Sequence, residues 1–474
     1  MLPPRFPHQE DALNRALRLG GSLCLFHEPG LGKTRTCLDL FTHLCVTTPA
    51  LKLLVLCPLS IIEAAWGADI ARFTDLPWVN LRQDAWTTEP IGVLNYEAFL
   101  RRTTAWPQPL MLVVDESARL RDPKSLTTKA VLRLAERCQV RMCLSGTPAP
   151  NGLHELYSQA KVVDPNSVPR SFFTWRRDWF YLGRGTRMMA EPPPSRDAMR
   201  TLFQHGWEWK ITDVKRDQLL ARLAPITSWV RKADALDLPE KTYVMRHVTL
   251  SPAEHQAYES MRRELVVEFA KETVTAEIAL TKLMKLRQLS SGFCYGQQGT
   301  HRTGESRLRL LLEVLEELGS QPVIIWANFR EEIEQISNTL GDRAVTLYSG
   351  TADRTKSLAQ FGREAQYLIA HPRSAGHGLT LTQASAAIWF SLDFSLEAYT
   401  QANDRIHRIG QSKPCLYVHL IAPGRIDAYI WKVLRDKWSL QEAIDAALGG
   451  RAAARGAASH QEAMAASVGA GGAA

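Results

Sequence analysis

The chain has 474 residues, of which 45% are hydrophobic and 22% are charged, and its formal net charge is +8. This length excludes a single compact domain, since domains average roughly 150 residues, and the ordinary composition excludes a chain that is disordered throughout. The basic excess favours an anionic partner, although charge alone does not separate nucleic acid from a membrane surface.

Targeting and redox signals are missing from the sequence. It contains no run of about 18 apolar residues and no signal-peptide pattern. The eight cysteines include no C-x-x-C pair, so neither a zinc ribbon nor a disulfide framework is indicated. We therefore expect a cytoplasmic protein with reduced thiols and no membrane association.

Residues 1–150 alternate short β-rich runs with helical stretches. The predicted strands are 22–27, 53–57, 91–95, 111–115 and 140–145. This rhythm predicts an α/β lobe, in which a parallel sheet is covered by helices and function lies at the carboxyl ends of the strands.

A glycine-rich loop separates the first predicted strand from a helix predicted over 35–44. The loop reads Glu28, Pro29, Gly30, Leu31, Gly32, Lys33 and Thr34. In this order, backbone N–H groups and a helix N-terminus can surround a phosphate, with Lys33 at the β- and γ-phosphates and Thr34 on Mg²⁺. Gly30 and Gly32 let the backbone approach the oxygens closely. The full pattern has glycine at position 27, where this chain has His27. A simple glycine-rich turn is therefore the alternative interpretation. The flanking strand and helix argue against it.

Two adjacent carboxylates end the strand predicted over 111–115. Asp115 is expected to hold the metal ion, and Glu116 to orient or activate the attacking water. An Asp-Glu pair after an apolar strand is often a solvated loop, but the phosphate loop some eighty residues upstream favours a catalytic pair.

The pattern changes over 151–236, where strand-like runs vanish and a mostly helical insertion is expected. Aromatic and basic residues crowd over 172–181, followed by Trp207 and Trp209. We favour a small hydrophobic core over base stacking for these aromatics. The candidate phosphate contacts under the second interpretation are Arg176, Arg177, Lys210, Lys215 and Arg216.

Alternation resumes over 237–445, which predicts a second α/β lobe. Its predicted strands are 243–250, 323–326, 367–370, 387–391 and 416–421, and the amphipathic segment 308–318 fits a helix that crosses between parallel strands. The last residues, 446–474, are mostly Ala and Gly and are expected to form a disordered tail, with a partly helical tail as the alternative.

The segment 401–411 places Arg405 and Arg408 three residues apart, on one face of a predicted helix. Two such arginines can reach a nucleotide held by another lobe and stabilise transition-state charge as arginine fingers do. The alternative is a basic solvated helix, which would not require a neighbouring lobe with a phosphate loop.

Nine segments, in order along the chain, resemble the motifs of the Swi/Snf family of superfamily-two helicase-like ATPases. They are 6–9, 28–34, 55–60 with Trp66, 95–97, 115–119, 144–151, 323–329, 374–382 and 401–411. The ending His407-Arg408-Ile409-Gly410-Gln411 is especially characteristic of this family.

The resemblance implies two tandem RecA-like lobes with ATP and Mg²⁺ in the cleft, and movement along double-stranded DNA. We also expect a monomer. Gln9 matches the adenine reader, and the further expected nucleotide contacts are Gly378 and Gln401. The motif that couples hydrolysis to movement is Ser145, Gly146 and Thr147. The residues that would line the DNA track are Pro58, Leu59, Ser60, Asn328 and Thr380.

One departure concerns the acidic motif, where Ala118 stands at the position the family usually fills with histidine. Metal binding and water activation do not need that histidine. The connection that the histidine would make to the coupling motif is missing in this sequence. The chain also lacks a Cys/His-rich reader domain, which hints at a bacterial or phage setting.

The sequence thus predicts an ATP-dependent translocase or remodeller on duplex DNA. A strand-separating DNA or RNA helicase is the first alternative, because it shares the same core. A non-catalytic, ATP-gated scaffold that binds nucleic acid is the second.

Overall fold

The computed structural model describes residues 3–102, 105–184, 187–189, 208–270, 276–296, 299–374 and 379–449. The chain divides after Asp237, and the bodies of the two units are Met1–Asp237 and Leu238–Trp438. Among the described residues, no helix has both the length and the hydropathy needed to cross a membrane.

The first unit is built on a seven-stranded sheet of parallel strands in the order β10-β1-β6-β5-β2-β4-β3. Its strands are β1 Leu23–His27, β2 Lys52–Cys57, β3 Trp78–Asn80, β4 Ile91–Asn95, β5 Leu110–Asp115, β6 Val140–Leu144 and β10 Thr227–Val230. Its helices are α1 Pro7–Arg18, α2 Lys33–Thr47, α3 Ala68–Phe73, α4 Tyr96–Arg101, α5 Leu126–Ala135, α6 Leu156–Val163, α7 Phe172–Trp179, α8 Asp213–Leu223 and α9 Lys232–Ala235.

Both faces of this sheet are covered, which explains why its strands are continuous apolar runs. Along β5, Leu112 and Val114 belong to one hydrophobic core, whereas Met111 and Val113 belong to the core on the other face. The predicted parallel sheet is therefore confirmed, and the loops at its carboxyl edge carry the phosphate loop and the acidic motif.

The expectation that strands vanish over 151–236 is wrong, although helices supply most of the regular structure described there. Three short strands, β7 Tyr181–Arg184, β8 Arg187–Met189 and β9 Glu208–Lys210, form a small antiparallel sheet. In addition, β10 joins the main sheet beside β1, with Cys24 opposite Thr227. Short strands that mix polar with apolar residues leave no alternating pattern long enough to read.

Most of the described aromatic residues of this segment belong to the hydrophobic core of the first unit or pack against it. Trp175 is fully buried, and the Arg176 guanidinium lies 4.7 Å from both the Phe172 and the Trp209 ring centroids. Three of the other candidate phosphate contacts have protein partners: Arg177 pairs with Asp178, Lys215 donates to the Asp178 carbonyl, and Arg216 pairs with Asp213 and Asp217. The core interpretation is confirmed for Phe172, Trp175, Trp179, Phe180 and Trp209, whereas Phe173 is exposed. Trp207 lies outside the described residues.

The second unit is built on a six-stranded parallel sheet in the order β11-β18-β17-β14-β16-β15. Its strands are β11 Lys241–His247, β14 Val323–Trp326, β15 Ala344–Leu347, β16 Tyr367–Ala370, β17 Ala386–Trp389 and β18 Cys415–Ile421, with β12 Phe293–Gly296 and β13 Gly299–Arg302 as a separate hairpin. Its helices are α10 Pro252–Ala270, α11 Ala276–Ser290, α12 Ser306–Leu318, α13 Arg330–Leu340, α14 Arg354–Gln360, α15 Leu396–Asn403 and α16 Ile426–Gly449.

This second sheet is also covered on both faces. Ile324 and Trp326 of β14 pack into one core, and Val323 and Ile325 pack into the other. The predicted fold class, two RecA-like α/β lobes, is therefore confirmed. The helix α16 continues to Gly449, so residues 446–449 of the predicted tail are helical, while residues 450–474 lie outside the described residues. Alanine is the best helix former, so an Ala-rich composition did not exclude a helix there.

Candidate nucleotide-binding site

The phosphate loop connects β1 directly to the N-terminus of α2, as predicted from the sequence. Gly32 caps α2 with φ of 73°, and Gly30 has φ of 88°. A Cβ atom on Gly32 would lie 2.1 Å from Nε2 of Gln9. Glycine is therefore required at position 32 both by the left-handed backbone and by the close approach of Gln9.

Gln9 is buried and fixed against this loop. Its Nε2 donates to the Leu31 carbonyl at 3.2 Å, while its Oε1 accepts a hydrogen bond from the Phe6 amide at 3.1 Å. A ring nitrogen of His8 lies 2.9 Å from the same Leu31 oxygen. The start of α1 is thus attached to the loop at one carbonyl, which places the predicted adenine reader beside the predicted phosphate site.

Two contacts accommodate His27 at the position where the full phosphate-loop pattern has glycine. The Lys33 ammonium donates to the His27 carbonyl at 2.7 Å, and the His27 imidazole lies 2.9 Å from the Ser228 hydroxyl of β10. Burial, assisted by the positive charge of Lys33, lowers the pKa of His27 to about 3. The imidazole is therefore neutral and does not add a second positive charge beside Lys33.

Glu28 has a structural role at the other side of the loop. Its amide donates to the Val230 carbonyl at 3.0 Å, and its carboxylate accepts a hydrogen bond from the Lys232 amide at 2.8 Å. Since Lys232 is the first residue of α9, this carboxylate caps a helix N-terminus. Pro29 and Thr34, the remaining predicted loop contacts, are half-buried.

Asp115, the last residue of β5, is 8% exposed and is held at both carboxylate oxygens. Trp66 Nε1 donates to Oδ2 at 2.9 Å, and the Glu116 amide donates to Oδ1 at 2.9 Å. Burial raises the pKa of Asp115, while the Trp66 hydrogen bond and the charge of Lys33 act against that increase. The carboxylate is therefore desolvated, oriented and electrostatically coupled to the phosphate-loop lysine.

Glu116 has a strained backbone. Its φ of 52° makes it the one non-glycine residue with positive φ among those that the structure describes. Such conformations cost about 1–3 kcal/mol and cluster at functional sites. The second carboxylate of the acidic motif therefore lies at a position where local strain is maintained by the surrounding fold.

The donors at this site fit a magnesium ion bound together with a nucleotide. Within the described residues there is no group of three or more His, Cys, Asp or Glu side chains that could hold a metal. Magnesium is usually bound by one or two carboxylates together with phosphate oxygens and water, so a full protein cage is not needed. Asp115, held at the end of β5, matches that mode of binding.

The coupling motif lies directly against the phosphate loop. A Cβ on Gly146 would lie 2.8 Å from Cδ of Pro29. The Ser145 amide donates to the Leu25 carbonyl, and the Thr147 amide donates to the Ser145 hydroxyl at 3.2 Å. The structure thus brings together the phosphate loop, the acidic motif and the coupling motif within the first unit.

The second unit holds the two predicted fingers, but not on a helix as the sequence suggested. α15 ends at Asn403, and residues 404–410 form consecutive turns and bends. The Asn403 carbonyl accepts the Tyr417 hydroxyl at 2.8 Å, and the Arg405 carbonyl accepts the Leu381 amide at 2.9 Å. These carbonyls are therefore engaged outside a continuous helical ladder.

Both arginines nevertheless converge on one backbone atom. Nη1 of Arg405 and Nη1 of Arg408 donate to the Leu379 carbonyl at 3.1 and 2.9 Å. Arg405 is buried and also donates to the carbonyl of Gln401, whereas Arg408 is half-buried. Gly378 lies outside the described residues.

The residues assigned to the DNA track differ in accessibility. Leu59, Ser60 and Thr380 are exposed, whereas Pro58 is buried. Asn328 is half-buried, and its Nδ2 donates to the Ser391 carbonyl at 2.7 Å. Two contacts of the site were not predicted from the sequence. Trp66 was assigned only to a motif, although it donates to the Asp115 carboxylate, and Ser228, which contacts the His27 imidazole, was missed. The order of residues along the chain does not reveal which buried side chains will meet.

Comparison with known proteins identifies the family. Residues 8–294, more than half of the chain, match the SNF2-related domain. The chain belongs to the SNF2-related family. Residues 306–410 match the helicase conserved C-terminal domain. The protein is therefore a helicase-like ATPase core of the SNF2-related family, a family that uses ATP with Mg²⁺.

Several relatives within or near the SNF2-related family are similar over most of the chain. A putative protein p41 of Acyrthosiphon pisum secondary endosymbiont phage 1 is 22% identical over 472 residues, covering 92% of this chain and 97% of that protein. The SWI/SNF-related matrix-associated actin-dependent regulator of chromatin subfamily A-like protein 1 of Xenopus laevis is 25% identical, covering 91% of this chain and 43% of its own. The chain thus spans less than half of that relative. A solved structure, the Sulfolobus solfataricus SWI2/SNF2 ATPase core in complex with dsDNA, is 22% identical, covers 93% of both chains and has a TM-score of 0.43.

Proposed function

We propose that this chain is an ATP-driven translocase on double-stranded DNA that displaces proteins or remodels DNA structures without needing to separate strands. The observation that carries the proposal is the arrangement in the first unit. There, Asp115 lies opposite Leu144, the residue before the coupling motif, and Gly146 of that motif packs against Pro29 of the phosphate loop. A change at the triphosphate therefore has a short physical route to the motif that would move.

The proposed roles at the nucleotide follow from the chemistry of each side chain. Gln9 reads adenine, Lys33 contacts the β- and γ-phosphates, Thr34 and Asp115 hold the metal ion, and Glu116 orients the attacking water. When held by Thr34 and Asp115, Mg²⁺ would supply positive charge that neutralises the phosphates. Arg405 and Arg408 stabilise the charge that develops on the transferred phosphate.

The proposed track is the phosphodiester backbone of duplex DNA. Backbone contact suits a motor that must step along any sequence, because phosphates position a protein without specifying bases. The exposure of Leu59, Ser60 and Thr380 and the net charge of +8 are in keeping with such contacts. The relatives whose names include regulation of chromatin support a DNA track, and the phage relative favours a bacterial or phage-infected cell as the setting. We propose that the motor acts as a monomer.

ATP turnover with and without duplex DNA tests the proposal directly. We expect strong stimulation by duplex DNA in the wild type and its loss in Lys33→Ala and Glu116→Gln. The exposed residues Lys129 and Glu136 of the same unit provide matched controls, as Lys129→Ala and Glu136→Gln. Absence of turnover would reject a DNA-driven motor and favour the non-catalytic scaffold, and turnover that ignores DNA would also reject the motor.

A second measurement separates the translocase from a strand-separating helicase. The wild type is offered a triplex on intact duplex DNA and a forked duplex, each with ATP. Displacement of the third strand without opening of the fork is the expected result. Opening of the fork, or stimulation by RNA in place of duplex DNA, would favour the helicase alternative.

A further inference from the structure

The acidic motif carries no polar side chain three residues after its aspartate. Ala118 occupies that position and is 4% exposed. A buried methyl group neither donates nor accepts a hydrogen bond, so any polar link from this motif to its neighbours has to come from another residue.

The neighbouring residue supplies such a link. Ser117 directly follows Glu116 and begins a 3₁₀ turn, Ser117–Arg121. Its hydroxyl donates to Oε1 of Gln159 on α6 at 2.7 Å, and both residues are fully buried. This hydrogen bond therefore joins the acidic motif to a helix that lies beyond the coupling motif in the chain.

Gln159 continues the link to the coupling motif itself. Its Nε2 donates to the Pro148 carbonyl at 2.7 Å and to the Glu155 carbonyl at 3.3 Å. Both acceptors are carbonyl oxygens, which cannot donate, so they fix the amide with its nitrogen toward Pro148 and its oxygen toward Ser117. A directed chain of hydrogen bonds thus runs from the residue after Glu116 to the residue after Thr147.

Because these hydrogen bonds are buried, a movement at only one end of the series is unfavourable. If the acidic motif moved without the coupling motif, the Gln159 amide or the Ser117 hydroxyl would lose its partner where water cannot replace it. Because one end adjoins Glu116 and the other adjoins Thr147, a shift of either motif is favoured only when the other follows. This is the behaviour expected of a coupling element.

We propose that Ser117 and Gln159 are positioning residues that link the acidic motif to the coupling motif. The inference rests on the proposed function, since it concerns the same ATP site. Neither residue is assigned a contact with ATP or metal; both act by holding Glu116 and the 145–148 segment in register.

The test uses the full-length protein and compares Gln159→Met, Ser117→Ala and the double variant with the wild type. Gln288→Met is the control, because Gln288 is a buried glutamine of the second unit whose Oε1 accepts a single described hydrogen bond, from Tyr295. For each protein, kcat and KM for ATP are measured without and with duplex DNA, well below its unfolding temperature. Ser117→Thr, which keeps the hydroxyl, is the rescue variant, and Ser117→Ala carries the test alone if Gln159→Met fails to fold.

We expect Gln159→Met and Ser117→Ala to lower kcat at least roughly tenfold, with KM within about twofold of the wild type. The double variant should lose no more than the worse single variant, because the two residues act as one unit. Ser117→Thr should recover most of kcat. Wild-type kcat in folded variants, or a raised KM with unchanged kcat, would overturn the positioning role.

The variants are compared with the wild type by their kcat values, measured with or without DNA, whichever condition gives the wild type its higher kcat. Absence of DNA stimulation in the wild type would therefore reject the proposed motor while leaving the Ser117–Gln159 effect on kcat measurable. Conversely, normal DNA stimulation together with unaffected variants would reject the link alone.

Discussion

The indole nitrogen of Trp66 donates a hydrogen bond to the buried carboxylate of Asp115 across 2.9 Å. Trp66 lies in a π-helical turn, Ile62–Gly67, that closely follows Pro58, Leu59 and Ser60. Such turns are rare and frequently mark functional sites. One hydrogen bond thus joins the turn that comes after the proposed DNA-contacting residues to the carboxylate proposed to hold magnesium.

Replacing that tryptophan should weaken the metal site. Trp66→Phe keeps most of the ring volume but removes a hydrogen bond to a charged group, which typically contributes about 1.5–3 kcal/mol. We expect the magnesium concentration for half-maximal ATP turnover to rise roughly tenfold, measured by magnesium titration at saturating ATP. Trp86→Phe is the control, since Trp86 Nε1 donates to the Glu89 carbonyl at 2.8 Å in another loop. Equal magnesium requirements in the two variants would contradict the role of Trp66.

The close approach of Gln9 to the phosphate loop can be tested at two glycines. Gly32→Ala adds both left-handed backbone strain and a clash with Gln9, whereas Gly20→Ala, at φ of 69°, has no atom within 4 Å of the new Cβ. We expect Gly32→Ala to lose ATP binding at least roughly tenfold more than Gly20→Ala, whose cost should be near 1 kcal/mol of stability. Fluorescent-nucleotide titration and thermal unfolding measure the two effects. Equal binding losses would indicate that backbone strain alone matters.

The two arginines of the second unit should respond differently to truncation. Arg408→Ala should abolish hydrolysis while ATP binding changes less than about threefold, because a finger acts on transition-state charge. Arg405→Ala should in addition lower stability, since Arg405 is buried and bonded to two carbonyls. Arg363, an exposed arginine of the same unit, serves as the control as Arg363→Ala. Loss of ATP binding in Arg408→Ala would refute its assignment as a finger.

A buried histidine should make the second unit sensitive to acid. Burial lowers the pKa of His419 to about 3, whereas an unfolded histidine titrates near 6.5. Below about pH 6.5 the unfolded chain therefore binds a proton that the folded one excludes, so stability falls by about 1.4 kcal/mol per pH unit from this group. Urea unfolding between pH 4.5 and 7.5 should show a shallower pH dependence in His419→Gln than in His301→Gln, where the replaced ring is exposed. Parallel curves would contradict this account.

The sequence predicted the central strands well because burial on both faces leaves an unmistakable apolar run. The strand expected over 323–326 is found as Val323–Trp326, and the one over 111–115 as Leu110–Asp115. The elements that were missed are short or partly exposed. β12 and β13 form a hairpin whose second strand is exposed throughout, so hydropathy gave no signal there.

The site was predictable in its parts but not in its connections. Lys33, Asp115 and Ser145 follow strands at recognisable motifs, so their chain positions were evident. The bonds that hold them, from Trp66 to Asp115 and from Ser117 to Gln159, join residues 49 and 42 positions apart. Such pairs depend on tertiary packing, which a single sequence does not encode in any local pattern.

The pairing of β1 with β10 also constrains how this protein is made. Cys24 of β1 lies opposite Thr227 of β10. One edge of β1 therefore stays unpaired until roughly 200 further residues have been synthesised. At about 5–20 residues per second, translation leaves that edge unpaired for roughly 10–40 s. An unpaired apolar strand edge invites association with other chains. Shielding of the nascent chain during that interval should therefore raise the yield of soluble protein, and a fragment that stops near residue 150 should aggregate.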